Sequence, residues 1–132
     1  MAFEFSNAAV KTSFTAGEDL SAKQYHFVTI DNGDGHVVAV SAGTDRPIGV
    51  LQNSPTAGQI AEVTIVGGTK VECGGSASFG QALFSSSSAT AVTLAYGTTA
   101  SAAFSVGTFI ESAAAGALAA AVIDCANSAR GL

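Results

Sequence analysis

A stretch of 17 residues aligns with a second stretch further along this chain, and that repetition limits its architecture more than any other feature. Gly49-Val-Leu-Gln-Asn-Ser-Pro-Thr-Ala-Gly-Gln-Ile-Ala-Glu-Val-Thr-Ile65 aligns with Gly107-Thr-Phe-Ile-Glu-Ser-Ala-Ala-Ala-Gly-Ala-Leu-Ala-Ala-Ala-Val-Ile123 at an offset of 58. The pairs 49/107, 54/112, 57/115, 58/116, 61/119 and 65/123 are identical. Upstream, Gly17, Ser21, Gln24 and Phe27 match Gly74, Ser78, Gln81 and Phe84 at an offset of 57, and Val38 and Gly43 match Val92 and Gly97 at 54. A supersecondary unit used twice buries a continuous core by stacking on its own copy. The expectation is one β domain over residues 16–132, with pseudo-repeats at about 16–66 and 73–124.

Each half reads as a run of short strands. Gln24-Tyr-His-Phe-Val-Thr-Ile30 alternates apolar and polar side chains and is rich in β-branched and aromatic types, the period of a strand. Asp31-Asn-Gly-Asp-Gly35 supplies turn chemistry, and Val37–Val40 returns as a hairpin partner. Residues 48–52 and 60–66 follow as strands, and Gly67-Gly68 is expected to break the chain before a short segment at 70–72. Ala113–Val122 taken alone reads as helix, because Ala is the strongest helix former. Its counterpart holds Pro55, Gly58 and the alternating Ile60-Ala-Glu-Val-Thr-Ile65, which is turn followed by strand. The repeat therefore predicts a strand over 117–124. Two such sets of strands point to an all-β fold, a small closed barrel or two-sheet sandwich, because closure removes exposed edges.

Residues 1–15 stand outside the recognised repeat. Phe3, Phe5 and Phe14 among Asn, Ala, Ser and Thr do not make an independent core, so the segment is either a frayed terminus or an arm that orders on a partner.

Charge narrows the function classes. Only 11% of residues are charged, against about 25% in a typical soluble domain. Such a surface is covered by partner subunits or carries Ser, Thr, Gly and Ala. Ten acidic against five basic residues leave a net charge of −5, which offers phosphates no basic stripe and argues against nucleic-acid binding. The start of the chain lacks a cationic n-region and an apolar h-region, so no secretory signal is expected. The small-apolar run from Ala113 to Ile123 falls short of the roughly 20 residues that span a bilayer, and no membrane partner is expected.

Catalytic spacing is missing. Val66-Gly-Gly-Thr-Lys70 has the wrong order for a phosphate-cradling loop, and Gly74-Gly-Ser-Ala-Ser78 is a near miss for a nucleophile elbow. No enzymatic activity and no cofactor are expected. His26 and His36 flank a turn carrying Asp31 and Asp34, a weak metal constellation whose third and fifth loop positions are Gly33 and Gly35, where a Ca²⁺ loop needs oxygen ligands. The structural reading of these histidines is the stronger, and no metal is expected. Cys73 and Cys125 stand alone, each read as a reduced, buried thiol; spacing does not show whether they meet. Asp45-Arg46-Pro47 offers a compact ion pair before a rigid turn, suited equally to a solvated loop and to a subunit interface.

At Tyr25-His-Phe-Val28, at Ala42-Gly-Thr-Asp-Arg-Pro-Ile-Gly-Val-Leu-Gln-Asn-Ser-Pro-Thr-Ala-Gly58 and at Ala61-Glu-Val-Thr-Ile65, the sequence resembles the small capsid decoration, or cement, proteins of tailed phages. The resemblance spans roughly residues 16–124, and Arg46-Pro-Ile-Gly-Val-Leu-Gln-Asn53 is its most specific part. It departs at Ser85–Ser88 and in the Ala-rich run from Ala113.

The resemblance implies a β-tulip-like body, to which residues 1–15 would add an extended N-terminal arm. It implies a homotrimer on the outside of the expanded head, in the virion, where it holds neighbouring major capsid protein subunits together after assembly in the host cytoplasm. Phe3 and Phe5 become candidates for capsid binding, and Asp45, Arg46 and Pro47 for a subunit interface. A virion-displayed carbohydrate-binding or adhesion module, and a tail or baseplate structural protein, are two other classes with β surfaces of small polar residues. The first usually stacks exposed aromatics on sugar, and this chain has no Trp and only Tyr25 and Tyr96 as tyrosines.

Overall fold

The computed structural model describes residues 9–93 and 103–130. Among them the chain forms strands and turns and no helix: β1 (Val10–Thr15), β2 (Phe27–Ile30), β3 (Val37–Ala39), β4 (Gly49–Leu51), β5 (Ile60–Glu72), β6 (Ala82–Ser85), β7 (Ala91–Thr93), β8 (Phe104–Ser105), β9 (Gly107–Phe109), β10 (Leu118–Asp124) and β11 (Ala129–Arg130). One antiparallel sheet runs in the order β3-β2-β4-β5-β10-β9-β6-β7, with β1 added along β5, and β8 pairs separately with β11. The strand predicted over 117–124 in the Ala-rich run is present as β10. β5 and β9 flank it and supply ladder partners along its length, which overrides the local helix preference of Ala.

The sheet is open and curled into a half-barrel, with β3 and β7 as the two ends of its order. The Phe27 N–H donates to the Ala89 carbonyl at 2.8 Å, tying the start of β2 to the turn before β7. Only curvature brings those two places together. Single bridges, Ala16 with Val37 and Cys73 with Ala91, stand where the expected closure would need full ladders.

Gly67-Gly68 does not end a strand, contrary to expectation. β5 runs through it for 13 residues and changes partners there: residues 60–66 pair with β1 and β4, and residues 66–72 with β10. Gly67 has φ +127, and a Cβ on it would stand 2.7 Å from that of Ala9. The glycine serves close approach at the handover.

Registers recur along the chain. Val28 faces Gly49 and Ala39, while Leu83 faces Gly107 and Thr93. Thr15 faces Ile60 and Phe14 faces Ala61; likewise Glu72 faces Leu118 and Val71 faces Ala119. β1 thus holds on β5 the place that residues 67–72 hold on β10. Residues 10–15, grouped by sequence with the arm, belong to the sheet, with Phe14 packed against buried core.

Loop contacts repeat as well. Gly17 N–H donates to Val37 and Gly74 N–H to Ala91, both at 2.8 Å; Leu20 N–H donates to Pro55 at 2.9 Å and Ala77 N–H to Ala113 at 2.8 Å. A Cβ on Gly49 would meet the Thr64 carbonyl oxygen at 2.4 Å, and one on Gly107 the Val122 carbonyl oxygen at 2.3 Å. Both positions need glycine because a neighbouring backbone passes where a side chain would start.

The core follows the same map. Ala16, Leu20, Val28, Val37, Leu51, Ala61 and Val63 form one buried cluster. Their counterparts at offsets of 54 to 58, namely Cys73, Ala77, Leu83, Ala91, Phe109, Ala119 and Ala121, all lie in a second, larger cluster. That larger cluster also takes in Phe27, Val40 and Val50 from the N-terminal part. Burying one such large apolar side chain is worth roughly 1.5–3 kcal/mol.

Candidate binding surface

The segment between β3 and β4 carries Asp45, Arg46 and Pro47. Asp45 folds its carboxylate back on its own turn, where Oδ2 accepts from the N–H groups of Ser41 at 3.1 Å and Ala42 at 3.2 Å. It therefore makes no ion pair with Arg46, and the expected compact pair is corrected: the described ion pairs are His26 with Glu72 and His36 with Asp34. The physical reason is local, since two backbone donors three and four residues upstream already satisfy that oxygen. Arg46 instead reaches the C-terminal segment. Its Nη2 donates to the Ala126 carbonyl and its Nε to Ser128 Oγ, each at 3.3 Å. The Arg46 carbonyl accepts from Thr29 Oγ1 at 2.9 Å, and Pro47 is buried behind it.

These contacts build one wall of an open groove of about 300 Å³, completed by Ile30, Asn32, Ile48 and Cys125. Its chemistry is mixed: an exposed guanidinium already half-engaged, an exposed Ile30, and small polar groups on β2 and the turn after it. Such a groove suits an uncharged or weakly acidic protein surface better than a small molecule, because ligand pockets bury most of what they hold. Phe3 and Phe5 lie outside the described residues. Ala9, next to the segment that carries them, stands against Gly67, and Cys125 N–H donates to Ile65 at 2.9 Å. Ala9 and Cys125 thus both meet the body at the β5–β10 seam.

The two histidines have separate partners. Buried His26 places Nε2 2.9 Å from a Glu72 carboxylate oxygen, with Nδ1 3.1 Å from the Gln24 carbonyl. His36 Nδ1 is 3.2 Å from Asp34. Asp31 and Asp34 each accept a backbone N–H of their own turn, from Gly33 at 2.8 Å and His36 at 2.9 Å. Among the described residues no cluster of three or more His, Cys, Asp or Glu is placed to hold a metal.

Cys73 and Cys125 are both free and buried. Burial, with smaller contributions from Glu111 and Glu72, pushes the Cys73 thiol up. Burial and then Asp124 push Cys125 up to about 12, against an opposing pull from Arg46. Neither is an activated nucleophile, since reactive thiols need the opposite shift.

Sequence reasoning missed the outward face of the C-terminal strands. Val122 and Leu118 on β10 and Phe79 in the turn before β6 are exposed large apolar residues. The signal was present: the 58-residue offset sets Val122 against Thr64, a small clue that the two positions meet different surroundings.

No protein-family model matches the chain, and no curated protein matches it in sequence. Among solved structures, it is similar to the head fiber gp8.5 N base of bacteriophage phi29, with 21% identity, a TM-score of 0.65, and coverage of 94% of this chain and 98% of that one. At that identity the likeness speaks for architecture alone, and this chain shares the fold of that head-fiber base.

Proposed function

We propose that the chain is a non-catalytic structural protein of a tailed-phage virion. In this reading it binds the outer surface of the expanded head, as a homotrimer, and stabilises contacts between major capsid protein subunits. The observation that carries the reading is the near end-to-end likeness to a protein named for a phage head fiber, which falls on the same class of particle as the sequence resemblance around Arg46-Pro-Ile-Gly-Val-Leu-Gln-Asn53. The low charge and the exposed apolar residues fit a chain that works covered by partners.

The body is read as two similar halves, each drawn toward a small barrel by an isolated parallel bridge, Ala16 to Val37 or Cys73 to Ala91. Attachment follows from multivalency. Three linked subunits make the second and third contacts intramolecular, so modest contacts give tight overall binding. A protein that binds the assembled lattice but not free capsid subunits shifts the equilibrium toward the closed shell.

Within this reading residues 1–8 are the arm, with Phe3 and Phe5 as capsid anchors, and the groove beside Arg46 and Pro47 lies at a subunit boundary. Co-sedimentation with expanded heads that lack this protein tests the attachment. Saturable occupancy is expected for the whole chain, and a chain starting at residue 9 should lose most of it. No co-sedimentation of the whole chain would overturn the reading, and equal occupancy of the shortened chain would overturn the role of the arm.

A further inference from the structure

Thr64, Val50 and Phe27 stand side by side across β5, β4 and β2, through the pairs Val50 with Thr64 and Phe27 with Val50. All three are fully buried. What covers them is the C-terminal part of the same chain. Ala89 accepts the Phe27 N–H, and Leu83, Ala89, Phe109 and Ile123 share a cluster with Phe27 and Val50.

Carried over by ladder register, which sets Phe27 against Ala82 rather than against the Phe84 of the sequence match, that row becomes Val122, Thr108 and Ala82 on β10, β9 and β6. The pairs Val122 with Thr108 and Ala82 with Thr108 align them in the same way. Here the row is open: Val122 is 46% exposed, Thr108 is exposed and Ala82 is half-buried. The residue types run against their surroundings. The buried row holds Thr64, whose Oγ1 has no hydrogen-bond partner, while the open row holds a β-branched apolar Val at that same place.

We infer that the Val122-Thr108-Ala82 row is a contact face for a second copy of this chain. The occupant is identified by the covered row itself, where the same sheet face is already closed by a repeat of this same sequence, through uncharged side chains and backbone hydrogen bonds. A partner with the same low charge and small-residue β surface meets that chemistry, whereas a strongly charged one would leave its charges unpaired against Val and Ala. The inference rests on the oligomer proposed above and gives it a location.

The test is the mass of the purified full chain in solution, for wild type and for Val122→Asp and Thr108→Arg, with circular dichroism to show that each variant keeps its β signal. Because both side chains are exposed in the single chain, the fold should survive either change. The expected result is an oligomer for wild type and a dissociation constant raised a hundredfold or more in both variants. Variants that keep the wild-type mass overturn the contact face while leaving an oligomer built elsewhere. A wild-type monomer at every concentration overturns the face and the trimer together, and head binding, measured separately, then decides the rest of the proposed function. Variants that keep their mass but lose head binding assign the row to the capsid and also overturn the inference.

Discussion

The N-terminal and C-terminal parts of the sheet share ladder registers, turn contacts and two glycines under passing backbone, yet they differ in what their outer faces touch. Phe27 and Val50 are sealed beneath the C-terminal strands, whereas Ala82 and Thr108 look outward. A second difference lies in the backbone. Tyr25 holds φ at +66 where Gly80 holds +76, a conformation that L side chains adopt only at a cost. One strand pattern can thus satisfy its internal ladder twice while its outer face is free to diverge, because backbone pairing fixes register and side chains on the far face answer only to their neighbours.

The largest test of the likeness is at the glycines. Gly49→Val and Gly107→Val each drive a side chain into a carbonyl oxygen, and each should cost about 3 kcal/mol or more, or prevent folding. Urea denaturation that finds one of them neutral would break the equivalence. Phe27→Ala should cost roughly 3–5 kcal/mol, while Thr108→Ala in the corresponding row should stay within about 0.5 kcal/mol. Equal losses would remove the asymmetry on which the contact face depends.

A titration probes the seam between the two parts. Cys125 is raised from 9.0 to about 12, so its folded form holds the proton more tightly than its unfolded form. The stabilisation is fully present below pH 9 and drains away as pH climbs through about 12. Cys125→Ala should flatten part of that alkaline loss in thermal melts, with Cys73, raised in the same direction, retaining a share. Identical alkaline profiles would contradict the burial of this thiol. Smallest of all, Gly80→Ala should cost about 1 kcal/mol and Tyr25→Gly should change stability by less than that. A large loss in Tyr25→Gly would mean that the tyrosine side chain, rather than its backbone, holds the turn.

Much of this was legible in the sequence because the offset linked ambiguous segments to clear ones. Ala117–Asp124 carries no strand signal of its own, and Pro55, Gly58 and Ile60–Ile65 supplied it. Val38 and Val92, matched at an offset of 54, sit in β3 and β7 facing Thr29 and Phe84. The place of β1 was hidden because Thr12 and Thr69 are the one identity between residues 10–15 and 67–72. The Gly67-Gly68 handover misled because a glycine pair ends a strand unless a new partner takes up the ladder, and that partner, Val122 and Ile123, lies far along the chain. At the candidate surface, sequence neighbours suggested an Asp45–Arg46 pair. The folded loop gives the carboxylate two nearer N–H donors and sends the guanidinium to residues 126 and 128, contacts set by tertiary placement alone.

The central claim is that this chain reinforces a phage head from outside. The most direct measurement is the temperature at which expanded, DNA-filled heads lacking this protein release their DNA, with and without a saturating amount of it. Release is predicted at a higher temperature in its presence, with the gain rising in step with occupancy. Release at the same temperature at full occupancy would contradict the claim.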